Sequence, residues 1–542
     1  MIHADIIISS NAVFTGLADQ PEPASIAIGD NKIISIGSMN EMQPLINENT
    51  EIYQFEDELV MPGFHNFHLH LMMAGLQLVS VDLASVRSEE EAVNKVFNFA
   101  IQNPDEEWII GMQWDSSYWG PQQMPTRHSL DQVIPDRPVF LLHAEGHFAW
   151  LNSKALGVLQ INENTPDPEF GSYEKENGKL TGILYENAVT TASEKALNFS
   201  KEKKSRILKR FMEEAAKYGI TSVNDMFAPF DEVLRDYQLL KEMELNDRLS
   251  VRIHLTPEIK EDLTFAQKMG EELNSGKLKY SGLKGFLDGV ITGHTALLLQ
   301  PYEDKPDFCG EPAMPPERVI NWVVNADRQG HRIRFHAVGD GAVRLALDAF
   351  EEAQKINGKW DARHTIEHID IIDPNDIPRF KELGVIASFQ PDLIAIVERG
   401  VYEKLVGKQR LEYVYPIQTF QESGAQIAFG TDTPIARSLN PLTQIYSSVT
   451  RMDSSGVTVW NSHDCISLSE ALKAYTIGPA YGSFREHELG TLEVGKLADL
   501  TILDRNIFEK SIGELLETKV KMTIVDGRIV SKEMKTSTPK PV

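Results

Sequence analysis

Two histidines one residue apart end the run Leu59-Val60-Met61-Pro62-Gly63-Phe64-His65-Asn66-Phe67-His68-Leu69-His70. The apolar lead-in has strand character, and alternate strand residues face the same way. His68 and His70 then share a face, and two neutral imidazoles at that spacing can bind one metal ion. Four more ionisable groups sit in later apolar runs. Lys284 lies in Leu283-Lys284-Gly285-Phe286-Leu287, and His336 ends Arg334-Phe335-His336. His368 ends Thr365-Ile366-Glu367-His368, and Asp432 follows Phe429-Gly430-Thr431. Taken singly these are ordinary residues. A strand-end histidine is more often a hydrogen-bonded structural group, an Asp after Gly-Thr a turn or cap, and a strand lysine a solvated tip. Together, four histidines, one carboxylate and one lysine match the nitrogen and oxygen donors that hold zinc or a similar divalent ion.

Such distant residues meet only if the strands that carry them converge. Apolar segments at Val60–Phe67, Thr221–Met226, Val251–Leu255, Leu283–Leu287, Ile333–Ala337, Thr365–Ile369, Val385–Phe389 and Gln426–Gly430 read as eight strands. Helical periodicity separates most of them, as in Lys201–Tyr218, Pro316–Gln329 and Val343–Lys355. Eight alternating β and α units predict an α/β fold with a (β/α)8 TIM-like barrel, whose strand C-termini meet on one face. A doubly wound open sheet is the alternative, but no GxGxxG follows a strand.

Short strands also mark both chain ends. Ala4–Ile8, Ser25–Ile28 and Lys32–Ile36 precede the first histidines, and Asp499–Leu503, Lys521–Val525 and Arg528–Val530 end the chain. Asn31 and Asp526-Gly527 lie in turns. The expected organisation is a small β-sandwich domain of residues 1–60 with 485–542, beside a barrel over 61–484. Ser88–Ile101 reads as a helix with an N-cap and acidic first turn. Residues 105–190, rich in tryptophan and proline, read as an insertion on the main fold.

Composition narrows the function. Fifty-three Lys and Arg against 79 Asp and Glu give a net charge of −26, a surface that repels nucleic acid and anionic membranes. No stretch of about 20 apolar residues spans a membrane. Two cysteines, Cys309 and Cys465, make no disulfide framework. A cytoplasmic protein acting on a small-molecule substrate is expected, with homo-oligomer formation left open.

Longer motifs carry a family resemblance. They are MPGFHNFHLH at 61–70, PTRHSLDQVIPDRPVFLLHAEGHFAWLNSKAL at 125–156, KGFLDG at 284–289 and HAVGD at 336–340. RHTIEH at 363–368, FGTDTPI at 429–435, LGTLEVGKLADLTIL at 489–503 and VDGRIV at 525–530 complete them. The chain resembles the amidohydrolase superfamily, in the branch of YtcJ-like proteins and N-substituted formamide deformylases (amidohydrolase family 3). The resemblance implies a metal-dependent hydrolase of carbon–nitrogen bonds other than peptide bonds, with one or two divalent ions, most often zinc. It implies that His68, His70, His336 and His368 are ligands and that Lys284, carboxylated, bridges two metals. It makes Asp432 both a ligand and the carrier of the attacking water's proton. A deaminase, another hydrolase on the same site, or a non-catalytic regulatory member are the competing readings.

The chain departs from the family pattern at Asn66, where an Asp is usual, and at Thr292-Gly293-His294, where many relatives carry an arginine. His294, His147 and Trp114 are assigned to substrate binding. For His147 and Trp114 the competing reading is packing within the insertion. Asn66, Asp288 and Asp340 are expected behind the ligands, orienting them.

Overall fold

The apolar run that leads to the first histidines is two strands, not one. In the computed structural model, which describes residues 3–533 apart from positions 121–123, 145, 147, 170, 454 and 455, Leu59–Pro62 and Phe64–Leu69 join different sheets. Pro62 has no N–H to continue a ladder. Gly63 passes so close to Thr221 that a Cβ there would lie 2.2 Å from its methyl group, so only glycine fits the crossing.

The site-bearing strands follow as β1 (Phe64–Leu69), β2 (Ile220–Met226), β3 (Arg252–Thr256) and β4 (Leu283–Phe286). β5 (Ile333–Ala337), β6 (Thr365–His368), β7 (Ile386–Phe389) and β8 (Gln426–Phe429) complete them. They form two parallel arcs. One runs β1-β2-β3 and ends on an added short strand, Leu278–Tyr280; the other runs β4 through β8. Among the described residues the ladders do not close into one ring, but the arcs touch at both ends. Lys284 N donates to Pro257 O at 2.7 Å and Ile259 N donates to Lys284 O at 2.8 Å. At the other junction Asp432 N donates to His68 O at 2.7 Å. The chain is thus α/β with a TIM-barrel-like body, in which helices such as Lys201–Lys217, Pro316–Arg328 and Asp340–Asn357 follow the strand pattern. Ser200 starts the first of these by accepting from Lys203 N, and proline at N1 starts the second.

Both chain ends enter one sheet. Its order is 528–532, 520–525, 500–503, 59–62, 6–13, 22–29, 32–37, with 51–54 also paired to 6–13. It differs from the expected sandwich in being one hydrogen-bonded unit, because strand 59–62 pairs on one edge with 6–13 and on the other with 500–503. Ile6, Ile8, Ile26, Ile28, Val60, Leu500, Ile502, Met522 and Ile524 bury one face together. A buried fork ties this sheet to the body: Arg252 at the start of β3 donates two 2.8 Å hydrogen bonds to Asp499 and one of 2.9 Å to Asp526.

The segment between β1 and β2 forms its own six-stranded sheet, ordered 171–176, 179–186, 148–151, 139–143, 109–114, 81–82. It begins earlier than residue 105. Helix Glu89–Gln102, capped by Ser88, packs Ala92, Val93 and Val96 against Ile109, Trp114 and Trp150. Among the described residues no helix is long and apolar enough to cross a membrane.

Candidate metal centre

His68 and His70 point into the body from the C-terminal end of β1. Their Nε2 atoms each lie 3.3 Å from the same oxygen, Asp432 Oδ1. Asp432 reaches that place because its backbone turns left-handed, φ 59°, just beyond β8. His368 has φ 75° at the end of β6, and its ring centroid is 4.9 Å from that of His68 and 4.5 Å from that of His336. Left-handed backbone is costly for non-glycine residues and persists where surrounding structure enforces it, often at functional sites. His68, His368 and Asp432 each offer a ligand atom, all within 4.8 Å of one another.

Hydrogen bonds fix which imidazole nitrogen faces the centre. His68 Nδ1 lies 2.8 Å from Glu367 Oε2, and His70 Nδ1 lies 2.9 Å from Met226 O. Both partners accept, so both Nδ1 atoms carry a proton and both Nε2 atoms are the ones turned toward the centre, where a cation would take the place of any proton they share with Asp432. His336 has the opposite arrangement. Its Nε2 donates to Gly289 O at 3.0 Å, 3.8 Å from Asp288, which frees Nδ1.

Lys284 is 1% exposed, and its Nζ has no hydrogen-bond partner among the described residues. Burial pushes its pKa down to about 8, against the attraction of Glu367 and with help from Arg334. Burial and the Lys284 charge hold His336 down at about 3. Burial, His336 and other nearby cationic groups also keep His368 far below the usual range, outweighing the pull of Asp432. For Asp432 burial acts upward, but His68, His70 and His368 outweigh it and keep the carboxylate ionised. Burial opposes charge on His70, yet Asp432 and Asp231 outweigh it and raise its pKa.

The donor set fits a divalent cation. It offers neutral imidazole nitrogens aimed inward, an ionised carboxylate between two of them, and an unpartnered amine beside them. The residues that would hold the ion are His68, His70, His336, His368 and Asp432, with Lys284 as a further donor if carboxylated.

The other expected site residues take different positions, Asn66 and Asp288 directly behind ligand histidines and the rest further away. Asn66 does not reach the imidazole tips; its side chain stitches two strand ends together. Its Oδ1 accepts from Thr431 N at 3.0 Å and His68 N at 3.3 Å, and its Nδ2 donates to Thr431 Oγ1 at 2.8 Å. Asp288 accepts from Val338 N, Gly339 N and Leu297 N at 2.8–2.9 Å, next to His336; burial lifts its pKa to about 7. Asp340 accepts from Leu299 N and pins that loop. His294 faces Asp304 at 2.9 Å. Trp114 is fully buried, donates to Leu141 O at 2.9 Å, and packs with Trp119 and Trp150 as core of the insertion. His147 lies outside the described residues.

Glu367 escaped the sequence reading. It is fully buried, with Oε2 on His68 and Oε1 accepting from Arg334 Nε at 2.6 Å; Arg334 also donates to Phe67 O at 2.7 Å. The available signal was a charged residue inside each of two short apolar strands, β5 and β6, since a buried charge needs a partner. Gln113, also not anticipated, donates to Pro434 O at 2.5 Å, so the insertion touches the loop that follows Asp432.

Comparison with known proteins adds to this geometry. A family model described as "Amidohydrolase family" matches residues 55–531. Protein LONG AFTER FAR-RED 3 of Arabidopsis thaliana is 31% identical over 97% of this chain and 91% of its own length. An N-substituted formamide deformylase of Arthrobacter pascens is 26% identical over 96% of this chain and 97% of its own. Among solved structures, an uncharacterized metal-dependent hydrolase of Pyrococcus horikoshii OT3 superposes with TM-score 0.77 at 26% identity, covering 94% of this chain and 99% of that one.

Proposed function

The chain belongs to the amidohydrolase family, and from that premise we propose that this metal-dependent enzyme hydrolyses a carbon–nitrogen bond outside peptides, in an N-substituted amide or formamide. The observation that carries the reading is the convergence of two imidazole Nε2 atoms on Asp432 Oδ1 at 3.3 Å. Nitrogen and oxygen donors of this kind suit zinc. A bound divalent ion there supplies a Lewis acid that polarises a carbonyl and makes water acidic near neutral pH.

The chain's own groups do the rest. His68 and His70 keep their Nε2 lone pairs inward because Glu367 and the Met226 carbonyl hold their Nδ1 protons. Asp432, held ionised, accepts the proton of the attacking water and returns it to the departing nitrogen, which leaves poorly as an anion. The products are an amine and a small acid. Lys284, with its buried amine partly neutral near pH 8, would take up carbon dioxide with release of a proton, and the resulting carbamate would be an anionic oxygen donor to the ion.

One feature supports a compact, largely uncharged substrate with an apolar group on nitrogen. The Arthrobacter relative named above is a deformylase of N-substituted formamides. Such a substrate fits a protein of the cytoplasm, where Cys309 and Cys465 stay as free thiols.

The test uses protein stripped of metal and reloaded with zinc or manganese. kcat/KM is compared for matched amides, one neutral and one carrying a carboxylate, while amine, acid and ammonia are followed. Restored turnover with preference for the neutral member is expected. Preference for the anionic member overturns the substrate assignment, and activity indifferent to metal overturns the reading itself.

A further inference from the structure

Beneath the candidate metal centre, at the N-terminal end of β5, lies a charge that the protein does not neutralise. Arg332 is 5% exposed. Its Nε, Nη1 and Nη2 are all buried, and none has a hydrogen-bond partner among the described residues. Arg334, two residues on and therefore on the same face of the strand, has a fourth such nitrogen, Nη1. Both guanidinium groups flank the Phe67 ring, Arg334 at 3.9 Å from its centroid and Arg332 at 5.9 Å. Phe484 lies on Arg332 at 5.8 Å.

Among the described residues no carboxylate forms a hydrogen bond or ion pair with Arg332. Glu367, whose charge attracts it, has one oxygen on Arg334 and the other on His68. Arg363, whose charge also acts on Arg332, adds another cation, itself paired with Glu486 and Asp361. An arginine does not discharge by losing its proton. A desolvated, unpaired guanidinium is strongly unfavourable, and ring contacts near 6 Å offset only a small part of that cost.

We infer that Arg332 and Nη1 of Arg334 form a buried site for one small monovalent anion, chloride or a one-carbon oxyanion, on the floor of the strand arcs. A small ion is inferred because all three guanidinium nitrogens of Arg332 are enclosed and Phe67 and Phe484 stand against the group. Phe484, whose ring stands against Arg332, is 43% exposed, so the guanidinium lies close to the surface. Occupancy satisfies Arg332 and leaves Glu367 to Arg334 and His68. The floor is thereby coupled to the orientation of a candidate metal ligand, although the anion site itself stands without any assigned reaction.

The experiment is thermal unfolding of the purified full chain in sodium gluconate, titrated with sodium chloride at constant ionic strength. A saturable rise of roughly 2–4 °C is expected, absent in Arg332→Met and shifted at least tenfold to higher chloride in Arg332→Lys. Formate and bicarbonate arms distinguish the two sources: a larger rise at equal concentration assigns the site to an oxyanion. If neither variant folds, crystals of the unaltered protein soaked in bromide decide, with an anomalous peak expected within hydrogen-bonding reach of Arg332. A flat or unsaturable response in the unaltered protein, the same response in Arg332→Met, or no bromide at Arg332 overturns the inference. None of these readouts depends on turnover or on the identity of the metal.

Discussion

Glu367→Gln is the most informative single change. The carboxylate uses both oxygens, Oε2 toward His68 Nδ1 at 2.8 Å and Oε1 toward Arg334 Nε at 2.6 Å. Glutamine has one acceptor oxygen and one donor NH2, so one of these two donors must face another donor. In either orientation the fully buried Arg334 guanidinium loses its counter-charge, which costs about 3–5 kcal/mol, and with the NH2 facing Arg334 two donors also oppose each other. If the NH2 faces His68, the imidazole must accept at Nδ1, and its proton moves to Nε2, the atom now aimed at Asp432. A protonated Nε2 cannot ligate a metal. Loss of such an orienting partner typically lowers metal affinity about 10–100-fold. The assay is competition with a fluorescent chelator in metal-buffered solution, paired with a denaturant melt of the metal-free protein. Weaker metal binding, a lower melt midpoint, or both are expected. Unchanged metal affinity together with an unchanged midpoint would refute the claim that Glu367 orients His68 and balances Arg334.

Asp432→Asn, nearly isosteric, should keep the fold while cutting turnover roughly 10²–10⁴-fold; full turnover on an authentic substrate removes Asp432 from proton transfer. Lys284→Ala should lose one metal equivalent by elemental analysis, with partial rescue of activity by a short carboxylic acid, and unchanged metal content rules out a bridging role. The pKa of about 8 for Lys284, lowered first by burial, sets a pH test: roughly a tenth of the amines are neutral at pH 7 and nine-tenths at pH 9. Carbon dioxide uptake by metal-free protein should therefore quicken about tenfold over that interval when dissolved carbon dioxide is held constant, read by ¹³C NMR of the carbamate. The same depression predicts stability that rises with pH. Below about pH 8 the folded state carries the cost of a buried ammonium, and that cost is relieved between pH 8 and the unfolded value near 10.4. A metal-free protein whose stability falls over that window argues against a buried, depressed lysine.

Strand content was legible because β-strands here are short apolar runs that end in charged groups. Each of the eight expected segments contains or overlaps an observed strand. The division at Gly63 was not legible: the apolar pattern is continuous across it, and only the approach of Thr221 separates two sheets. Nor was the unit that includes Val81–Asp82 and helix Glu89–Gln102, since an amphipathic helix does not state which sheet it will cover. The inward-facing histidines could be named because alternation along β1 and the ends of β5 and β6 marked them. Glu367 could not, because strand alternation places it opposite His368; the left-handed turn at His368 is what brings both side chains to one region. His294 is a candidate substrate contact by its motif position; its Asp304 partner lies ten residues on, in a loop whose course no periodicity reveals.

The pairing of strand 59–62 between 6–13 and 500–503 bears on how the protein comes into being. The strand that leads into His68 and His70 has one neighbour made before it and another made some 430 residues after His70. At the usual 5–20 residues per second, on the order of 20–90 s of synthesis pass before that second edge exists. Until then strand 59–62, which leads into the histidine strand, emerges from the ribosome with an open apolar flank, and the nascent chain must be kept from pairing it with the wrong partner. Ligand geometry at the front of the chain is therefore among the last things a growing polypeptide can complete, and any chaperone dependence of its production should fall on this interval.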